Sequence, residues 1–444
     1  MEIIFHADAA KRFNDLGADL RGRVRVIKSS PPVSTSSYSP HPVGRIEAGD
    51  VIGPITSAER ICDGLGNEVG RVWRMGNGSV GLIDDAYQEA KKIASALEKT
   101  GPLRERVQVQ FLVDEICLWL QGLLEQGSGE SLVAYLSRRC EQAIRDYEIW
   151  VPLFRVHGRA TFSIGEVAFR NISSPMMERF FTQQGKPPLP EAARHHLERL
   201  RSQLQDHLAA CVTVTAEKRA AQAFARARAE DAIALLRFLS PANWVLGMQS
   251  YCLPLGRERI EIPVELTVED GAIREISRAA IENGPVFWDL DADSARFPKL
   301  LDLLHALASD HANDFRQQLY DALLLYSRNS ITLNPADKLV FVLVSLESLM
   351  LRDSNEPITK NIAERIAFLI GTSVDDRRRI IKDVDETYRL RSKFIHHGRS
   401  IEESEVVERF LEHAWHSFHA MLQYIDSVPT KAALLEALEN RKLS

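Results

Sequence analysis

The 444-residue chain has no Cys-x-x-Cys pair. Its five cysteines, Cys62, Cys117, Cys140, Cys211 and Cys252, are odd in number and scattered. That pattern argues against a zinc knuckle or a disulfide framework and predicts a reducing, cytoplasmic setting. No metal or other cofactor is expected. A long apolar run is missing too. The most apolar stretch, Leu339 to Leu351, is interrupted by Glu347 and is too short to span a bilayer, so no membrane partner is expected. The start, Met1-Glu2-Ile3-Ile4-Phe5-His6, has neither the basic segment nor the apolar core of a secretory signal. There is no excess of basic charge: the formal net charge is −6, so any nucleic-acid contact must be local.

What is present is an ordinary globular composition, 45% hydrophobic and 26% charged, in a chain long enough for about three domains. The Ser/Pro tract from Ser29 to Val43 reads as a loop with little to bury. Val69 to Ile83 reads as a hairpin turning at Asn77-Gly78. Helical periodicity follows at 86–98, 103–125 and 131–147. Strands are expected around Trp150–Val156, Ala160–Ile164, Val167–Phe169 and Cys211–Thr215, with helices at 189–209 and 216–239. A second β block covers 246–288, with Asp270-Gly271 as a turn. From 297 the pattern is purely helical: 297–309, 311–327, 335–351, 359–370, 374–397, 401–426 and 430–442. The fold class is therefore α+β, with a C-terminal all-α bundle. The expected division is an N-terminal segment at 1–85, a mixed α+β region at 86–295 and a helical domain at 296–444.

The helix ends carry recognisable chemistry. Asn334 caps and Pro335 takes the first helical position. Gly371 closes one helix, Ser373 with Asp376 opens the next, and Gly398 closes that one. Ser400 with Glu403 forms a capping box. In helix 374–397 the apolar positions Ile381, Val384, Tyr388 and Ile395 form an inward seam, and Arg391 falls on it. An inward arginine needs an anion or a partner, and Glu347 is the one acid in the apolar run Leu339–Leu351. His396 and His397 fall in the last turn, where the helix C-terminus favours the imidazolium. Residues 377–399 hold eight basic side chains against three acidic ones, a local field suited to a phosphate backbone.

Arginine followed by histidine at this spacing is common, and Arg201 to His207 and Arg409 to His416 fit it as well. The order and spacing of four segments narrow the reading: Ala322–Ser327, Leu346–Leu349, Ile362–Ala367 and Tyr388–Gly398. Over 311–426 they resemble the HEPN superfamily, most closely its ApeA-like branch. The resemblance implies a metal-independent endoribonuclease acting at a composite site across a two-fold homodimer, with room for higher oligomers. Arg391 and His396 would be catalytic, although His397 also fits the spacing. Ser392, Lys393, Tyr388 and Glu347 would support them, and Arg389, Arg399 and Lys382 would contact RNA. The implied substrate is RNA such as tRNA, in anti-phage defence or toxin-like growth arrest. A non-catalytic HEPN scaffold and a nucleotide-binding regulator are the alternatives.

Other patterns are weaker. Asp289, Asp291 and Asp293 begin like a calcium loop, but Ser294 and Leu300 stand where glycine and glutamate are needed. Gly64, Gly66 and Gly70 miss the dinucleotide fingerprint. The helix at 216–239 reads as a solvated charged face. His413, His416 and His419 are expected to be surface or partly buried histidines that do not all share one face.

Overall fold

The computed structural model describes residues 3–27, 42–45, 55–75, 78–127, 129–158, 161–173, 175, 178–179, 191–204, 207–250, 252–255, 264–269, 272–278, 288–297, 299–310, 313–353, 355–397 and 404–443. The chain is mixed α+β with a helical C-terminal region. It folds as two compact units, residues 1–149 with 213–225 and residues 150–212 with 226–444. These boundaries fall at places other than 85/86 and 295/296. Residues 86–149 share the core of the N-terminal sheet, and residues 226–295 belong with the helices that follow. No helix among the described residues is long and apolar enough to cross a membrane.

The first unit starts with α1 (Ala7–Gly22). Strands β1 (Arg25–Ile27), β2 (Pro42–Arg45), β3 (Ser57–Cys62), β4 (Glu68–Met75) and β5 (Gly78–Ile83) form an antiparallel sheet in the order β2-β1-β5-β4-β3. Helices α2 (Asp84–Glu98), α3 (Val109–Gln126) and α4 (Leu132–Ala143) cover it. Its core packs Trp73 and Leu82 from the sheet against Tyr87, Leu97, Ile116 and Leu136. The expected hairpin is present, but Met75 pairs with Gly78, so Gly78 is already in the strand. Positions 76 and 77 lie outside the described residues, as do most of the Ser/Pro tract and the Asp270-Gly271 turn.

Strand β6 (Arg145–Pro152) begins where the sequence periodicity still suggested helix. It joins a sheet ordered β6-β10-β9-β8, with β8 at Phe162–Ile164, β9 at Val167–Asn171 and β10 at Leu208–Ala216. Short β7 (Val156–His157) pairs in parallel with β13 (Trp288–Asp289), and β11 (Val264–Glu269) with β12 (Ala272–Arg278) forms a hairpin. Helices α5 (Glu191–Leu204), α6 (Lys218–Leu236) and α7 (Leu290–Arg296) lie along this stretch of chain. Helix α7 was not expected; it spans the Asp291 and Asp293 positions of the false calcium loop.

The C-terminal bundle comprises α8 (Leu300–Ser309), α9 (Asp314–Tyr326), α10 (Pro335–Met350), α11 (Ile358–Ile370), α12 (Val374–His397), α13 (Ser404–Leu422) and α14 (Lys431–Leu443). Asn334 accepts the Ala336 N–H at 2.9 Å ahead of Pro335, as its sequence signal predicts. Ser373 Oγ accepts the Asp376 N–H and Asp376 accepts the Thr372 N–H, both at 3.1 Å. This reciprocal cap fixes the start of α12. Gly398, Arg399 and the Ser400–Glu403 box lie outside the described residues.

Fully buried Leu339, Leu346, Ile366, Val384, Phe410 and Phe418 fill the bundle. Each such side chain contributes about 1.5–3 kcal/mol by leaving water. A buried polar cluster joins residues 237–243 to the bundle. Lys338 Nζ donates to the Ala242 and Asn329 carbonyls at 2.7 and 3.0 Å. Asn329 donates to the Asn243 side-chain oxygen at 3.2 Å.

Candidate functional site

Helices α10 and α12 pack together and bring Glu347 opposite Tyr388 and Arg391. Tyr388 Oη donates to Glu347 Oε1 at 3.0 Å. Arg391 Nη1 lies 3.5 Å from the same oxygen, an ion pair rather than a tight hydrogen bond. The Arg391 and Glu347 side chains are 28% and 20% exposed, so the inward position read from periodicity holds. Burial, reinforced by the Glu347 charge, pushes the Tyr388 phenol above the usual tyrosine range and keeps it a donor. Arg391 Nε is buried and has no hydrogen-bond partner among the described residues. A guanidinium has five N–H donors, and among the described residues this one meets a single weak acceptor.

A cavity of ≈ 410 Å³ opens beside this group. Tyr388, Arg389, Arg391, Ser392 and Asp385 line it from α12, and Ile358 and Thr359 line it from the first turn of α11. Pro357 caps α11 without a side-chain hydrogen bond. Uncapped first-turn N–H groups and the helix dipole make that end electropositive. Arg389 is exposed and forms no ion pair among the described residues. The cavity is thus bounded by two arginines, three hydroxyl groups and a helix N-terminus, with Asp385 as its one carboxylate.

Five of the expected site residues therefore meet in one place: Glu347, Tyr388, Arg389, Arg391 and Ser392. Lys382 and Lys393 are exposed on α12 and do not line the cavity. Helix α12 reaches His397, so positions 396 and 397 both fall in its last turn; their side chains lie outside the described residues. They follow Arg391 by about 140° and 240° around the helix axis, so neither shares its azimuth. The basic field is weaker than the sequence count suggested. Asp375 and Asp376, just before the counted window, pair with Arg378 at 3.3 Å and Arg379 at 2.9 Å.

No known family, curated protein or solved structure matches this chain.

Sequence reasoning missed a second cluster in the same unit. Asp383 is buried on the seam of α12 beside Ile380 and Val384. Its carboxylate meets His413 Nε2 at 3.0 Å and Arg409 Nε at 3.2 Å, both from α13. The seam runs through Ile380, Asp383, Val384 and Thr387, one residue away from the expected Ile381. His413, His416 and His419 are partly buried or exposed, as expected, and all three line one cavity. An offset of about 240° is only 120° the short way round, an arc that a concave wall accommodates.

Proposed function

We propose that the C-terminal bundle is a HEPN-type, metal-independent endoribonuclease domain working as a homodimer, and that Arg391 grips the scissile phosphate. The observation that carries this reading is the under-used guanidinium of Arg391, with Nε buried and unpartnered, beside Arg389 and the uncapped start of α11. That arrangement suits a phosphate, which accepts from a guanidinium fork and from helix N–H groups together. His396, or His397 beside it, would take the proton of the ribose 2′-hydroxyl or give one to the leaving 5′-oxygen. The second copy in the dimer would supply the complementary role. Arg391 would stabilise the charge developing on the phosphate. The products would be a 2′,3′-cyclic phosphate and a 5′-hydroxyl, with RNA such as tRNA as substrate, in a cytoplasmic defence or growth-arrest setting.

The test is digestion of tRNA and total RNA, with chelator present, by wild type, Arg391→Ala, His396→Ala and His397→Ala. Light scattering is run in parallel to follow the dimer. Loss of cutting in Arg391→Ala and one histidine variant, with the dimer intact, is the expected result. Absence of cutting by wild type on every RNA removes the enzyme reading.

The ion pair of Arg391 with Glu347 favours a second reading, a non-catalytic HEPN scaffold in which the arginine is structural. That reading predicts that Arg391→Ala falls apart into monomers.

A further inference from the structure

A cleft in the first unit lies between the α2–α3 connection and the start of α6. Two cavities, of ≈ 520 and ≈ 480 Å³, meet there and share Glu105 and Phe224. Each is within the ~300–1,000 Å³ typical of ligand sites. One half is apolar, walled by Val107, Val109, Ala220, Ala223 and Phe224. The other half is polar, with Arg104, Arg106 and Thr215. The connection is held in place from within. Leu103 is fully buried; its N–H donates to the Thr100 carbonyl at 3.1 Å, and its own carbonyl accepts from Arg106 and Val107 at 3.0 and 3.2 Å. Glu105 sits between the two arginines in left-handed backbone, with φ 62°, which residues other than glycine rarely adopt. The Arg104 side chain is 72% exposed, and its Nε lies 3.9 Å from Glu105.

Strand β10 borders the polar half and has an open edge there. The Leu153 N–H donates to the Leu208 carbonyl at 2.8 Å, so the even-numbered residues of β10 turn their backbone groups toward β6. The odd-numbered positions face β9, since the His207 carbonyl accepts the Ile172 N–H at 2.9 Å. Pairing with β9 stops at Cys211, opposite Ala168. The next backbone contact on that edge is at Glu217, whose N–H donates to the Arg106 carbonyl at 2.7 Å. Thr213 and Thr215 fall in the gap. Both are exposed, and on that edge they have no strand partner among the described residues. A strand laid there runs alongside the cleft and directs every second side chain into it.

We propose that this cleft binds an extended peptide segment of a partner protein by strand addition to β10, one carrying a large apolar residue and an acidic residue two positions apart. Its backbone pairs with Thr213 and Thr215. The apolar side chain enters between Phe224 and Val107. The carboxylate, on the same face two residues along, meets Arg104. In the polar half Arg104 and Arg106 outweigh Glu105, which matches one acid. A nucleic-acid strand fits less well, because Glu98 and Glu105 both border the cleft and repel a run of phosphates. The inference does not depend on ribonuclease activity.

Panning a phage-displayed library of random octapeptides on the full chain tests it. The enriched peptides should share an apolar residue and an Asp or Glu two positions apart. A synthetic copy of the most enriched one should bind Arg104→Gln about tenfold more weakly, the worth of one charge-assisted hydrogen bond. Arg104 is exposed, so this variant should keep the wild-type melting temperature. N-methylation of alternate peptide amides should abolish binding in one register and spare it in the other, the mark of a strand bonded along a single edge. Amide exchange at Thr213 and Thr215 should be fast in the free protein and slow in the complex. No enrichment, affinity unchanged in folded Arg104→Gln, equal tolerance of both N-methylated registers, unmoved exchange at the two threonines, or displacement of the peptide by an equal concentration of oligouridylate would each overturn the proposal.

Discussion

Arg391 approaches Glu347 at 3.5 Å, while Tyr388 donates to the same carboxylate oxygen at 3.0 Å. The shorter contact is the neutral one, so Glu347 is anchored chiefly by the phenol. Both arginines leave Nε unpartnered among the described residues, but Arg391 also has terminal donors to spare, which distinguishes it from Arg365. That side chain is nearly buried and engages Glu356 through both terminal nitrogens, together with Glu439 and the Met350 carbonyl.

The first prediction follows from this difference. A double-mutant cycle on Arg391→Ala and Glu347→Ala should give a coupling below about 1 kcal/mol, as for partly exposed pairs at long range. Tyr388→Phe should cost about 1 kcal/mol on its own. Urea denaturation measures both. A coupling of about 3 kcal/mol, in the range of buried ion pairs, would make Arg391 structural.

Arg365 should behave oppositely. Arg365→Met leaves Glu356 without its bidentate partner and should cost about 3–5 kcal/mol, the range for breaking a buried pair. The Arg365 hydrogen bonds hold the Glu356 carboxyl down at about 2, below its usual 4.5. A depressed carboxylate contributes stability that is present above pH 4.5 and lost as pH falls toward 2. Glu356→Gln should flatten that part of the acid-unfolding curve.

Lys338 gives a prediction at the alkaline end. Burial pushes its amine down to about 8 from 10.5, so the unfolded chain binds the proton more tightly than the folded one. Stability should therefore rise as pH increases from about 8 to 10.5, by up to about 3 kcal/mol. Lys338→Met should lack that rise when unfolding is followed across the same range. The variant also leaves the Ala242 and Asn329 carbonyls without their donor, at a cost of about 1–3 kcal/mol each if unsatisfied.

Asp383→Asn tests the second cluster. The amide cannot balance the Arg409 guanidinium, so unfolding by urea should show a loss of about 2–4 kcal/mol. Nitrogen-15 spectra should show the His413 ring losing its fixed tautomer.

The bundle was legible in sequence because its helices are amphipathic and carry their own start signals. Asn334-Pro335 and Ser373-Asp376 fix two helix starts through contacts between near neighbours in the chain. Arg391 could be placed inward because it shares a seam with Tyr388 and Val384. Asp383 could not be read in the same way. One acid among several in a charged helix looks solvated, and its partners come from a different helix 26 and 30 residues on. Lys338 was hidden for the same reason, since its Ala242 acceptor lies 96 residues away. The turn into β6 was missed because Arg145 to Tyr147 continue a helical pattern that only strand pairing overrides.

The distance between Lys338 and Ala242 along the chain bears on how the protein can be taken apart. Residues 237–243 serve as a plug donated to the bundle from upstream, supplying the acceptor for a buried ammonium and the partner for Asn329. A fragment beginning at residue 296 would carry that ammonium into its core with one of its two acceptors missing. Separation of the plug from the bundle should cost the helices about 1–3 kcal/mol for the acceptor that Lys338 loses.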